Sequence, residues 1–117
     1  MDKHNFRKLD IWIKSMSIVK DVYLLVSDFP NDEKYGLKSQ ITRCAVSVPS
    51  NIAEGSGRSS KKEFSYFLTV ALGPSYELET QLIISNEIFH VETNEIIVEN
   101  QNLQKMILGF KNKIMNN

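Results

Sequence analysis

Apolar residues recur along this chain at alternating spacings of three and four, the period of an α-helix with one face turned inward. Leu9, Trp12, Met16, Val19, Tyr23 and Val26 make the first such seam, and Ile11, Ile18, Val22, Leu25 and Phe29 make a second stripe beside it. The pattern predicts a first helix over residues 9–28, with Asp10 placed to favour its N-terminal dipole. One stripe suffices to face a core. Two imply either a wide core face or burial on two sides, the second against another subunit.

Pro30 stops that helix, and Asn31 or Asp32 can cap the next. Leu37, Ile41, Cys44, Val48 and Ile52 then carry the same spacing, which predicts a second helix over 32–54. Pro49 removes a backbone donor and crowds the carbonyl of Ala45, so the expectation is one bent helix; a new helix starting at Pro49 is the rival reading. The opposite face is polar and regularly spaced: Arg43, Ser47, Ser50 or Asn51, Glu54 and Arg58. It reads either as a solvated face, with Glu54 and Arg58 pairing at i,i+4, or as a contact surface whose small residues admit another backbone.

Gly55-Ser56-Gly57 predicts a helix stop through a left-handed glycine. Ser60 followed by Glu63 has the spacing of a capping box. Arg58, Lys61 and Lys62 after the Gly-Ser-Gly also resemble an anion nest, although no Walker A motif is present. The third helix is expected over 61–89, with Phe64, Phe67, Leu68, Ala71, Leu78, Leu82 and Phe89 inside and Glu77, Glu79 and Glu87 making its outer side acidic. Pro74 predicts a kink, or else a break. Thr93 is the expected cap of a fourth helix over 94–115, whose seam is Ile96, Leu103, Ile107, Phe110 and Ile114. Asn100 falls on that seam, either fixing register or lying wet near an end. Four long helices joined by short turns predict an all-α, antiparallel up-down-up-down four-helix bundle, with residues 1–117 as a single domain.

Composition narrows the function. Lys plus Arg and Asp plus Glu are both 14, which argues against a general attraction to nucleic acid or membrane. The balance is uneven along the chain: residues 1–62 hold 11 basic and 7 acidic side chains, and residues 63–117 hold 3 and 7. One basic and one acidic surface follow, able to meet in self-association. No signal peptide is evident, and no window reaches the roughly 18 apolar residues of a membrane span. With Cys44 as the sole cysteine, the expected setting is cytoplasmic.

Reaction chemistry has little to stand on. His4 and His90 are not in a metal-ligand spacing, so no metal or other cofactor is expected. Ser47 and Ser50 lack a G-x-S-x-G context, and Cys44 sits on an apolar seam. Trp12 and the tyrosines are spaced as core residues, not as a stacking platform. The chain reads as a non-enzyme with no catalytic residues.

Particular residues carry a resemblance over nearly the whole chain. They are Phe6-Arg7-Lys8-Leu9-Asp10-Ile11-Trp12, Phe29-Pro30, Tyr35-Gly36-Leu37, the block from Gln40 to Gly55 with Gly57-Arg58, then Phe67-Leu68 and Tyr76 to Gln81. Together they resemble the bacterial four-helix-bundle family also called the 23S rRNA intervening-sequence protein family. The resemblance implies a protomer that assembles into a ring, typically a pentamer. Some relatives are encoded within ribosomal RNA genes, and a similar bundle is the accessory variability determinant protein of diversity-generating retroelements, which binds nucleic acid and a reverse transcriptase. No catalytic residues come with the family. Cys44 stands where alanine is common, and Pro74 where serine is common.

The family's block includes Arg43, Ser47, Pro49, Asn51, Glu54, Gly55 and Arg58, and a ring requires a repeated heterologous interface. These residues are therefore expected at a helix–helix or subunit contact. The cations expected to meet RNA or DNA are Lys3, Arg7, Lys8, Lys14, Arg58, Lys61 and Lys62. The alternatives are an adaptor for another protein, or a phosphate site at the Gly55–Lys62 turn.

Overall fold

The computed structural model describes residues 5–33 and 36–116. A 3-10 turn at Phe6–Lys8 leads into α1 (Asp10–Val26); α2 (Leu37–Ser56), α3 (Lys61–Phe89) and α4 (Asn94–Met115) follow. No strand occurs among the described residues. α1 packs on α2 and α4, and α3 packs on α2 and α4, giving the antiparallel four-helix bundle. It is a rod of 47 × 22 × 20 Å. Ring contacts mark its two ends. Phe64 meets Phe110 at 5.5 Å where α3 begins and α4 finishes, and Phe29 meets Phe89 at 4.9 Å at the far end.

The inner face of α1 is the second stripe, joined at its C-terminal end by Val26 of the first. Ile11, Ser15, Ile18, Val22 and Leu25 are buried, while Tyr23 is exposed and Leu9, Trp12 and Val19 only lean on the core. Ser15 completes this seam and hides it from a search for apolar residues. Its hydroxyl donates to the Trp12 carbonyl at 2.8 Å, so burial leaves the donor satisfied. α3 repeats the device. Ser75 and Ser85 fill gaps in the run Phe64, Leu68, Ala71, Leu78, Leu82, and donate to the carbonyls of Leu72 and Gln81, each at 2.8 Å.

The second helix begins later than expected. Asn31–Glu33 form a separate 3-10 turn, and Gly36, with φ −107° and ψ −118°, breaks from helical geometry just before Leu37. Neither Asn31 nor Asp32 caps α2. Pro49 and Pro74 leave α2 and α3 unbroken. At the α2–α3 turn no glycine takes a left-handed conformation; Gly57 ends α2 at φ −88°. The left-handed helix end belongs to His90, φ 59°, after α3.

Ser60 caps α3 as its spacing predicts, its hydroxyl accepting from the Glu63 N–H at 3.1 Å. Thr93 occupies the cap position of α4 without capping it. The Glu92 carboxylate instead accepts from the Asn94 N–H at 2.8 Å. Asn100 is not a wet end residue: it is 0% exposed, and its Nδ2 donates to the Ser75 carbonyl at 2.8 Å. Gln104 shares that carbonyl and also reaches Glu79, as does Gln101. Glu79 therefore ties α3 to α4 and is not part of an acidic outer side.

Candidate functional site

The polar stripe of α2 forms as its spacing implies. Arg58 donates to the Glu54 carboxylate at 2.9 Å, and Arg43 donates to the Ser39 hydroxyl at 3.3 Å. Asn51 donates to the carbonyl and hydroxyl of Ser47 at 2.9 and 3.1 Å. Arg43 and Glu54 are exposed, and Ser47, Asn51 and Arg58 are half-buried. The Arg58 guanidinium also lies 4.6 Å from the centre of the Phe67 ring, which pins it toward α3.

Gly55 is buried for a different reason from the one its sequence context implies. A Cβ placed there would come within 2.7 Å of the Phe67 Cβ and 3.0 Å of the Phe64 ring. The residue lets α2 and α3 approach closely. The sequence signal for this was the small residue one turn after Ile52 on the inner face, and the reading as a helix stop masked it.

Beside the stripe, on the α1 side, runs an apolar groove of about 300 Å³ lined by Trp12, Met16, Val19, Val46, Pro49, Ser50 and Ala53. The outer stripe of α1 provides one wall and the outer face of α2 the other. Pro49 is a buried part of that wall, and Val46 remains 40% exposed.

The candidate cations divide. Lys3 lies outside the described residues. Lys14 is half-buried and ion-paired with Glu99, which removes it from a free basic surface. Arg7 and Lys8 on the first turn, Arg58 and Lys61 beside the α2–α3 turn, and exposed Lys62 gather at one end of the rod. The antiparallel fold brings the last turns of α4 to the same end. Lys111 and Lys113 therefore join the cluster, where sequence reasoning did not place them. At the opposite end stand Asp28, Asp32, Glu87, Glu92 and Glu95, all exposed. Charge thus separates along the axis of the rod, not between the two halves of the chain.

The acidic end opens a second groove, between α1 and α4, of about 820 Å³. Asp21, Asp28, Glu92, Glu95 and Glu99 line it, together with Leu24 and Val98. Among the described residues no group of three or more His, Cys, Asp and Glu side chains is placed to hold a metal ion, and no helix is long and apolar enough to cross a membrane.

The turn after α2 makes a poor phosphate cradle. Without a left-handed glycine its amides do not form a nest. The start of α3 already holds an anion, because the Glu63 carboxylate accepts from the hydroxyls of Ser59 and Ser60 at 3.2 and 3.3 Å. Cys44 is no activated nucleophile either. Burial pushes its thiol up from the ordinary value, and the Glu77 carboxylate, to which its Sγ donates at 3.5 Å, acts in the same sense.

The protein-family model described as 23S rRNA-intervening sequence protein matches residues 7–109. A solved structure of a protein with unknown function from the S23 ribosomal protein family, from Bacteroides thetaiotaomicron VPI-5482, superposes with a TM-score of 0.79. It is 19% identical, and the match covers 86% of this chain and 97% of that one. At that identity the likeness is one of fold. No curated protein matches the chain.

Proposed function

Because this chain belongs to the 23S rRNA-intervening sequence protein family, we propose that it is a non-enzymatic helical scaffold that associates with copies of itself and binds RNA or DNA through the cationic end of its rod. The supporting observation is the convergence of Arg7, Lys8, Lys61, Lys62, Lys111 and Lys113 from three separate segments at that end. A nucleic-acid backbone gains affinity from each phosphate neutralised, through release of condensed counterions. Zero net charge is no obstacle to this. The acidic end lies up to 47 Å away, and at physiological salt charges are screened beyond about 8 Å.

In this reading the setting is cytoplasmic, the assembly is a ring such as a pentamer, and no cofactor takes part. A neighbouring reverse transcriptase or ribosomal RNA gene would be the natural genomic context. Filter binding of single- and double-stranded RNA and DNA across a salt series tests the reading. Lys111→Glu with Lys113→Glu should lower affinity about tenfold or more and flatten the salt dependence. Absence of any retention at low salt removes nucleic acid from the proposal.

A second reading, an adaptor for another protein, draws on the α1/α4 groove, whose carboxylates and 71% exposed Leu24 suit a basic, partly apolar segment. Affinity capture with and without nuclease separates the two: a partner that survives nuclease favours the adaptor.

A further inference from the structure

Three tyrosines stand exposed, against the core role that their spacing implies: Tyr66 at 63%, Tyr23 at 53% and Tyr76 at 48%. Of the three, Tyr66 alone lies near the cationic end, on the second turn of α3. Its ring meets that of Phe67 edge to face, with centres 5.4 Å apart and planes at 83°. Phe67 is pinned in turn by the Arg58 guanidinium, 4.6 Å from its centre, and Arg58 is held by Glu54. The Tyr66 ring is therefore set in place before any ligand arrives, and little freedom is lost when one does. Its surroundings suit an anion. Lys62, one turn back on the same face, is exposed and has no ion pair among the described residues. Glu63, the only acid within a turn of Tyr66 along α3, is turned back to the hydroxyls of Ser59 and Ser60. Ahead on the helix, Thr69 and Gly73 are exposed, small and uncharged, and no acid follows until Glu77.

We propose that Tyr66 is a stacking platform for an unpaired base, so that the cationic end binds a single strand through its bases as well as its phosphates. An aromatic face set among cations is the arrangement that takes a single strand: the cations hold the backbone and the ring takes a base, whichever base it is. In a duplex the base faces cover one another, and only an unpaired strand or a loop can use the ring. The approach is laid out along α3. Phe64 lies against Phe110, which sets Lys111 and Lys113 level with the start of α3. A strand held there by its phosphates passes Lys62 and reaches the ring one turn further in. The path goes no further, because Tyr76 stands beside the exposed Glu77, whose carboxylate repels a phosphate.

This inference rests on the nucleic-acid part of the proposed function and names the form of the ligand. Filter binding of the full chain to a short oligothymidylate, an abasic strand of the same length and a duplex tests it, with circular dichroism as the check on folding. The abasic strand keeps every phosphate and loses every base. Wild type should hold the oligothymidylate about fivefold or more tightly than the abasic strand. Tyr66→Ala should lose that margin and Tyr66→Phe should keep it, while the salt dependence stays the same in all three proteins because no phosphate contact is removed. Tyr76→Ala should keep the margin as well. Tyr66→Leu gives the same reading should Tyr66→Ala lose helicity. Equal retention of the two strands by wild type, retention of the duplex alone, or a margin that survives loss of the ring overturns the platform and leaves electrostatic binding standing. Retention of none of the three at low salt overturns both.

Discussion

Replacing Gly55 by alanine isolates the close approach of α2 and α3. The added methyl carbon would stand 2.7 Å from the Phe67 Cβ, an atom fixed to the α3 backbone that no rotamer change can withdraw. Relief requires the two helices to part by several tenths of an ångström, through the most extensive helix pairing of the bundle. Overpacking of this kind costs about 1–3 kcal/mol, against which alanine recovers about 1 kcal/mol of helix propensity. The net expectation is a loss of up to about 2 kcal/mol. Gly109 supplies the control, because it is helical and exposed, and a Cβ there meets nothing within 4 Å. Gly109→Ala should gain about 0.5–1 kcal/mol from propensity alone. Urea unfolding followed by circular dichroism reads both, and the two substitutions should move the midpoint in opposite directions. Equal stabilisation by the two would falsify the packing role assigned to Gly55.

Three further expectations follow from individual contacts. Ser60→Ala removes the hydroxyl that accepts from Glu63 and should cost about 1 kcal/mol in chemical denaturation, with Ser60→Asp restoring most of it. Asn100→Leu removes a buried Oδ1 that has no partner, and the Ser75 carbonyl keeps Gln104 as a donor; the variant should lie within about 1 kcal/mol of wild type, whereas Asn100→Ala, which also leaves a cavity, should lose about 2 kcal/mol or more. Cys44 titrates above its ordinary value in the folded chain. Its thiol form is therefore the favoured one, and stability drawn from it is complete below the unfolded thiol's range and lost as pH rises through the folded one. Alkylation by iodoacetamide near neutral pH should be slower than for a free thiol and should accelerate later in a pH series, while a rate equal to the free thiol's would contradict the assignment.

The fold was legible because apolar spacing is a direct print of helix geometry. The limits of α3 and α4 fall where the Ser60–Glu63 and Thr93 signals place them. What escaped has a common physical root, which is that a small polar side chain can be buried when it bonds to its own helix. Ser15, Ser75 and Ser85 each do so, and a reading that counts only apolar residues therefore could not choose between the two stripes of α1 for its inner face. Gly55 and Gly57 were read for backbone freedom, but Gly55 serves through its missing side chain, a property that depends on Phe67 twelve residues on. The cationic end was half legible. Arg7, Lys8, Lys61 and Lys62 are short-range clusters in the sequence. Lys111 and Lys113 join them only because an antiparallel fourth helix returns to the same end, and Lys14 leaves them because Glu99 lies across the α1/α4 seam.

The axial separation of charge and the proposed self-association bear on each other. Rods associated in parallel would set all their cationic ends on one rim and all their acidic ends on the other. A single end offers a polyanion only a few phosphate contacts, whereas adjoining ends offer the same contacts repeatedly at fixed spacing, and linked sites bind far more tightly than separate ones. Antiparallel association would place acidic and basic ends side by side on both rims and cancel the field. The zero net charge of the chain, which by composition argues against a nucleic-acid partner, is then the consequence of an acidic end that the same geometry keeps on the far rim. Dilution to single-chain mass should accordingly weaken RNA retention per chain, since the end-face cations then act singly. Undiminished retention by the single chain would show that the two properties are independent.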